Sequence, residues 1–407
     1  MRMYKALITA GLLSILLFFS SAQPLEASSS GEERPNLFSS HVVDVHLCTP
    51  QMTRRSPERC PAFSPGAREV RMEYLRARLP EPLPALPAEQ LPLPEEGVSR
   101  YTFAYVRNLP APAYGHPVDA ESGAPPKRVF EAGMNWVSIV GTVEHNGETW
   151  YQVNSEEFVR AEHIAVGGPS RFRGVLLTEQ PRYPLAWINR GVSPSPLPGD
   201  APDESVVYSR YELVMIYAQE LLGDTLWYMI GPDRWVDQYY VARVDVDPRP
   251  EGVGPDEKWL EVDTFEQTIA AYEGDRMVFA TLISSGRSSS WTPDGLTRIW
   301  AKIPSAPMSN HDVGPGDDAW YYLEHVEWTQ YFFEDYALHT AYWHDAFGFT
   351  RSHGCVNLSP LDAQWLFEWT TPNLPEGAIG VYAGERYGEG TWVWVHKSEP
   401  VPGYEVH

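Results

Sequence analysis

Three proline-dense stretches divide this chain, because proline fixes φ at about −65° and offers no backbone donor, so it interrupts helices and central strands. Residues 79–97 are dominated by Pro, Leu, Ala and Glu, as in Pro82-Leu83-Pro84-Ala85-Leu86-Pro87, which predicts an extended, semi-rigid spacer. Residues 192–204 carry Pro194, Pro196, Pro198, Gly199 and Pro202, and a third break falls at 247–255. The sequence has 407 residues, enough for roughly two to four units of ordinary domain size, and the breaks predict where they divide.

The first residues read as a positive start, an apolar run over 6–19 and then small residues, the order of a secretory signal peptide cleaved after Ala22 or Ala27. The run is shorter than the ~20 residues that a membrane span needs, so export with cleavage is preferred over an anchor. The protein is therefore expected to be secreted into the cell envelope. With 54 acidic against 31 basic residues the formal charge is −23, which disfavours nucleic acid as a partner. Of three cysteines, Cys48 and Cys60 lie close together and predict a disulfide in an oxidising milieu. Cys355 is left alone, as either a buried small side chain or a nucleophile.

Between the breaks the patterning is mostly β. Runs at 101–106 and 136–143, then Glu148-Thr149-Trp150-Tyr151-Gln152-Val153 and Phe158-Val159, resemble a bacterial SH3-like domain over 98–168. A fainter echo around Trp227-Tyr228-Met229-Ile230 and Tyr240-Val241-Ala242 suggests a second such barrel over 204–246. The segment 256–384 continues with strand-like runs at 258–262, 268–272 and 277–283. Ser359-Pro360-Leu361-Asp362 then sets an N-cap, a first-turn proline and an acidic third residue before apolar positions at helical spacing, so one short helix is predicted directly after Cys355. The remainder divides into 1–27 as signal peptide, 28–97 as an N-terminal segment with its spacer, and 385–407 as a C-terminal tail.

The chemistry concentrates in Leu338-His339-Thr340 and Ser352-His353-Gly354-Cys355-Val356-Asn357. A free thiol has a pKa of about 8.5 and needs a neighbouring base or cation to act as a thiolate near neutrality. Two histidines can supply that, and Gly354 lets backbone N–H groups approach a developing oxyanion. The histidines show no tight ligand spacing such as His-Glu-x-x-His, so neither a metal nor another cofactor is assigned.

This constellation resembles the L,D-transpeptidase catalytic domain, or YkuD-like domain, whose signature is a His upstream of Ser-His-Gly-Cys-x-Asn. Gln267, Ser284-Ser285-Gly286 and Thr292-Pro293-Asp294-Gly295 extend the resemblance over most of 258–384. It implies a mainly β fold, with the catalytic domain preceded by one or two small SH3-like barrels. It further implies Cys355 as nucleophile, His339 as its base, and the Thr340 backbone as the holder of the His339 tautomer. Ser352, His353 and Gly354 would shape the loop, Gly354 and Cys355 N–H groups would bind the oxyanion, and Asn357 would brace the loop. The implied substrates are peptidoglycan stem peptides, attacked at the third residue with loss of D-Ala before transfer to an amine or water, and a carbapenem is expected to add covalently to Cys355.

Two rivals are weaker. An NlpC-type wall endopeptidase places its nucleophile before its histidines, the reverse of the order here. A non-catalytic wall-binding protein would not need the intact His and Cys set. The strand expected over 336–343 would put His339 on one face and, if it continues, His344 on the other, and a loop hydrogen bond explains His344 as well, which favours His339 as the base. The diamino acid of the stem, the acceptor, the balance of cross-linking against trimming and the oligomeric state are not legible.

Overall fold

Short alternating or wholly apolar runs separated by turns have one economical solution, two sheets facing each other across a core. The structure, a computed structural model, shows that arrangement, and it describes residues 50–55, 65–154, 156–310, 313–317 and 319–399. Two compact units are distinguished, Met1–Glu69 and Val70–His407. In the first, the described residues include the helix Pro50–Arg55. The segment expected to be a signal peptide, Cys48 and Cys60 lie outside the described residues, and among the described residues no helix is long and apolar enough to cross a membrane.

Within the second unit, one sheet has seven strands in the order Ala88–Gln90, Val175–Leu177, Arg276–Leu282, Thr268–Glu273, Lys258–Asp263, Trp392–His396 and Gly295–Arg298. Thr268–Glu273 is buried at every position but its last, as the unbroken run Ile269-Ala270-Ala271-Tyr272 requires of a strand covered on both faces. The second sheet runs from Val356–Leu358 through Tyr336–Thr340 and Tyr321–Phe333 to Met134–His145, Thr102–Val106 and Ile164–Gly167. Leu260, Val262 and Ile269 of the first sheet share a core with Leu338, Val356 and Leu358 of the second. The helix Pro360–Trp369 adds Leu361, Ala363 and Leu366 to it.

That helix begins as its sequence dictates, with Ser359 Oγ accepting from the Asp362 N–H and Pro360 in the first turn. Its C-terminal end is closed by Lys302, 1% exposed, whose Nζ donates to the carbonyls of Phe367 and Thr370. Asp362 accepts from Thr281 Oγ1 at 2.6 Å and from the Gly174 N–H at 2.7 Å. The helix that follows the cysteine is therefore tied to both the first sheet and the segment before it.

Three boundaries differ from the sequence reading. The proline-rich 79–97 stretch is not a free spacer, since Ala88–Gln90 pairs with Val175–Leu177, which pairs with Arg276–Leu282. Only three residues with no apolar alternation form that edge strand, too few for periodicity to reveal. Residues 385–407 are not simply a tail, because Trp392–His396 lies parallel to Lys258–Asp263 with Trp259 opposite Trp392 and Asp263 opposite His396. The run Trp392-Val393-Trp394-Val395 carries strict alternation, with Val393 and Val395 in the core. Finally, the strands of 98–168 are not a detached module. They keep a core of their own around Ala104, Val137 and Val159, yet Met134, Asn135 and Trp136 pair in parallel with Tyr321, Tyr322 and Leu323. The 204–246 segment likewise has its own cluster, including Val214, Tyr228 and Val236.

Two buried carboxyls in this scaffold are held protonated. Burial, then Asp247, pushes Glu261 up to about 8 against hydrogen bonds from His396 and Tyr272, and burial with the charge of Asp263 pushes Glu266 up to about 8. Raised carboxyl values mean that the native state keeps protons that the unfolded chain releases, so this contribution to stability is lost as pH rises towards 8. His339 and His344 are lowered and act in the opposite sense, but only below their ordinary value of 6.5. Melting temperature should therefore fall as pH is raised from 6.5 past 8, and Glu261→Gln should flatten that slope. A slope unchanged by the substitution would contradict the assignment.

Candidate active site

The histidine strand Tyr336–Thr340 and the cysteine strand Val356–Leu358 pair in parallel, with Leu338 opposite Val356, His339 opposite Asn357 and Thr340 opposite Leu358. Paired residues in a ladder project to one face, and residues two apart along a strand share that face. Cys355 stands two positions before Asn357, so the register carries it to the His339 side, beside Ala337. The Ala337 backbone N–H donates to the thiol, and Sγ itself lies 3.9 Å from the Asp335 carbonyl. Cys355 is half-buried and is the free cysteine among the described residues.

His339 is 3% exposed, and its Nδ1 lies 3.0 Å from the Thr340 carbonyl oxygen. A carbonyl only accepts, so Nδ1 carries the proton and Nε2 is left basic. Burial lowers His339 to about 4 against the Thr340 hydrogen bond, and burial raises Cys355 to about 11 despite the Ala337 N–H. The resting pair is therefore neutral thiol and neutral imidazole. Tyr331 lies near enough that the Cys355 charge contributes to its raised value, second to burial.

The loop before the cysteine is clamped by its own serine. Ser352 Oγ accepts from the Gly354 N–H at 3.0 Å and donates to the Cys355 carbonyl. This corrects the expected role of Gly354: its N–H is engaged inside the loop, and what requires glycine is conformation. Gly354 has φ +120°, and a Cβ there would stand 2.2 Å from Cε1 of Tyr336. The loop is also stitched to 284–287, with the Arg351 and Ser352 N–H groups donating to the Ser285 carbonyl and Arg287 N–H to that of Ser352. Gln267 holds Ser285 from behind, accepting its N–H at 2.8 Å and donating to its Oγ at 2.6 Å. Thr292 Oγ1 accepts from the Gly286 N–H. His353 is exposed and stacks on Tyr321, its ring 5.4 Å away, with no contact that would make it the base.

His344 lies beyond the histidine strand, which ends at Thr340, so alternation does not place it. His344 Nδ1 accepts from the Ala346 N–H, and its Nε2 lies 3.0 Å from the Asn357 side-chain amide. With Nδ1 accepting, Nε2 must carry the proton, so the Asn357 oxygen, otherwise without a partner, is the atom that belongs against it. Asn357 thus braces His344 as well as the loop, its backbone pairing with Ser284 in both directions. Thr340 acts through its backbone alone, as its Oγ1 is buried without a partner.

Metal-ligand geometry occurs elsewhere among the described residues, at Asp247, Glu261 and His396, whose ligand atoms lie within 4.8 Å of one another. Glu261 is already bonded to Tyr272 Oη at 2.8 Å and His396 Nε2 at 2.9 Å, so the cluster is accounted for as an internally satisfied network.

Residues 257–395 match the family model described as YkuD, the L,D-transpeptidase catalytic domain. Among solved structures, an Enterococcus faecium L,D-transpeptidase is 22% identical with a TM-score of 0.27, over 34% of this chain and 50% of that one. One from Stackebrandtia nassauensis is 25% identical with a TM-score of 0.25, over 36% and 58%. One from Mycobacterium smegmatis is 17% identical with a TM-score of 0.28, over 57% and 95%. The chain thus spans about half the length of the first two. No curated protein matches the sequence.

Gly354→Ala places a side chain where φ is positive and Tyr336 already stands, and strain of this kind typically costs about 1–3 kcal/mol. Denaturant titration should show a loss of that order, and an unchanged midpoint would show that the loop does not need its glycine.

Proposed function

We propose that this chain is a cysteine-dependent L,D-transpeptidase acting outside the cytoplasm on peptidoglycan stem peptides. The observation that carries the reading is a nucleophile loop and a tautomer-pinned His339 on adjacent parallel strands inside the segment matching that catalytic domain. The thiol first turns from the Asp335 carbonyl towards His339 Nε2. Sγ then attacks the carbonyl carbon of the third stem residue as His339 takes the thiol proton. The oxyanion forms against the Cys355 N–H. On collapse the C–N bond breaks, His339 returns the proton to the amine of the departing D-Ala, and a thioester remains. An amine of a second stem, deprotonated by His339, resolves the thioester to a cross-link, or water resolves it to a trimmed stem.

The two titration values decide when the proton moves. Transfer from a thiol at about 11 to an imidazole at about 4 is uphill by on the order of 10 kcal/mol for groups that do not interact. Attraction between the resulting charges returns only ~4 kcal/mol at 4 Å and an effective dielectric of about 20. A standing thiolate–imidazolium pair is therefore disfavoured in the free enzyme, and transfer accompanies bond formation. Alkylation of Cys355 by iodoacetamide should rise with pH into the alkaline range. A plateau near neutrality would indicate a preformed ion pair and contradict this mechanism.

The small β units at 98–168 and 204–246 are read as SH3-like and assigned to wall contact. A carbapenem should acylate Cys355, detectable by intact mass.

Release of D-Ala from a tetrapeptide stem tests the assignment. Cys355→Ala should abolish it, and His339→Ala should slow acylation by about 100-fold to 10,000-fold, the usual worth of a positioned base. His344→Ala should cost much less, and Thr340→Val should leave turnover intact because only the Thr340 carbonyl is used. Retained turnover in Cys355→Ala would end the proposal, and equal losses at His339 and His344 would move the base.

A further inference from the structure

Beside the nucleophile loop lies an open groove of about 410 Å³ lined by Asn189, Arg190, Arg210, Ala346, Phe349 and Arg351. Three arginines around one groove are unexpected in a chain of formal charge −23. Like charges are gathered at a cost unless something of opposite sign compensates. Among the described residues, Arg190, Arg351 and nearby Arg287 make no ion pair, and Arg210 has only Asp345, at 4.0 Å. Asp345 in turn is shared with Ser170 Oγ and Tyr211 Oη.

Two of the cationic heads, those of Arg190 and Arg210, make neutral contacts that hold them in place. The Arg190 guanidinium lies 4.7 Å and that of Arg210 5.9 Å from the centre of the Phe349 ring. Arg190 also donates to Tyr239 Oη, and Arg210 to the Phe347 carbonyl at 3.1 Å. Asn189, 7% exposed, lines the groove with its side-chain oxygen unpartnered, and its amide can turn to present a donor. The positive field reaches His344. His344, bonded to Asn357, is pushed down to about 3 by burial and then by Arg351, His339, Arg210 and Arg287. The groove wall runs from Phe349 and Arg351 directly into Ser352 and the nucleophile loop.

We propose that this arginine-lined groove is a carboxylate-binding subsite that seats a free carboxylate of the ligand whose carbonyl is presented to Cys355. Planar guanidinium groups match a carboxylate with paired N–H donors. That the ligand is a stem peptide rests on the function proposed above; that the groove selects a carboxylate does not.

Two arms separate these statements in the full chain. In the first, Cys355 is alkylated with iodoacetate and with neutral iodoacetamide, and the ratio of rates is compared between the native chain and Arg190→Gln/Arg351→Gln. Loss of charge-assisted contacts should lower that ratio by roughly tenfold. High salt should lower it in the native chain, Arg190→Lys/Arg351→Lys should largely restore it, and Arg276→Gln, an exposed charge elsewhere, should leave it unchanged. A ratio indifferent to the double Gln substitution, in protein whose melting temperature shows it folded, overturns the subsite whatever the substrate. In the second arm, a tetrapeptide stem with a free terminal carboxylate is compared with its carboxamide. The double Gln substitution should raise KM for the carboxylate form by roughly tenfold with little change for the carboxamide. Equal effects on both overturn the stem carboxylate as occupant. A falling alkylation ratio with no peptide turnover in the native chain upholds the subsite and rejects the transpeptidase reading.

Discussion

The parallel pairing of Tyr336–Thr340 with Val356–Leu358 is the constraint from which the rest of the site follows. It sets His339 opposite Asn357 and brings Cys355 to the same face two positions earlier. A shift of one residue would send the histidine to the opposite face and leave the thiol without a base. The register is held from several directions. Leu338, Val356 and Leu358 are buried in the core shared by both sheets, the helix after the cysteine strand packs into that core, and Asn357 pairs with Ser284 through both backbone groups. The fold spends its cohesion where the chemistry needs a fixed geometry.

Around that ladder His339 is buried and Cys355 half-buried, and arginines gather in a groove lined by Arg190, Arg210 and Arg351. Burial disfavours the imidazolium and the thiolate alike. The arginines do not share that buried setting. They border an open groove, where a negatively charged ligand can be drawn in without charging the catalytic pair beforehand.

The candidate site is more local in the sequence than the architecture is. Cys355, His339, Ser352 and Asn357 lie in one short pattern, and the helix start at Ser359 and Pro360 follows from local capping. Proline, by contrast, misled. The 79–97 stretch reads as a spacer because composition is a local property, whereas its strand Ala88–Gln90 exists only because the partner strand Val175–Leu177 is presented to it. The joining of Met134–Trp136 to Tyr321–Leu323 is equally non-local, and it turns an expected separate module into part of the histidine's own sheet. For that reason, removing residues 98–246 would disturb the site itself and could not isolate wall affinity. Alternation says nothing of His344, because the strand ends at Thr340 and the histidine is held by a loop hydrogen bond from the Ala346 N–H. The arginines gave no sequence signal because Arg190, Arg210 and Arg351 are scattered along the chain and meet only in the fold.

The central claim is that Cys355, with His339 as its base, carries an acyl group. The most direct measurement is intact-mass and peptide-level analysis of the mature protein quenched during incubation with a tetrapeptide stem. The expected result is a mass increase equal to the mass of the stem minus that of the released D-Ala, localised to the peptide bearing Cys355 and absent when Cys355 is replaced by alanine. Turnover with no thioester at Cys355, or the same adduct on another residue, would contradict it.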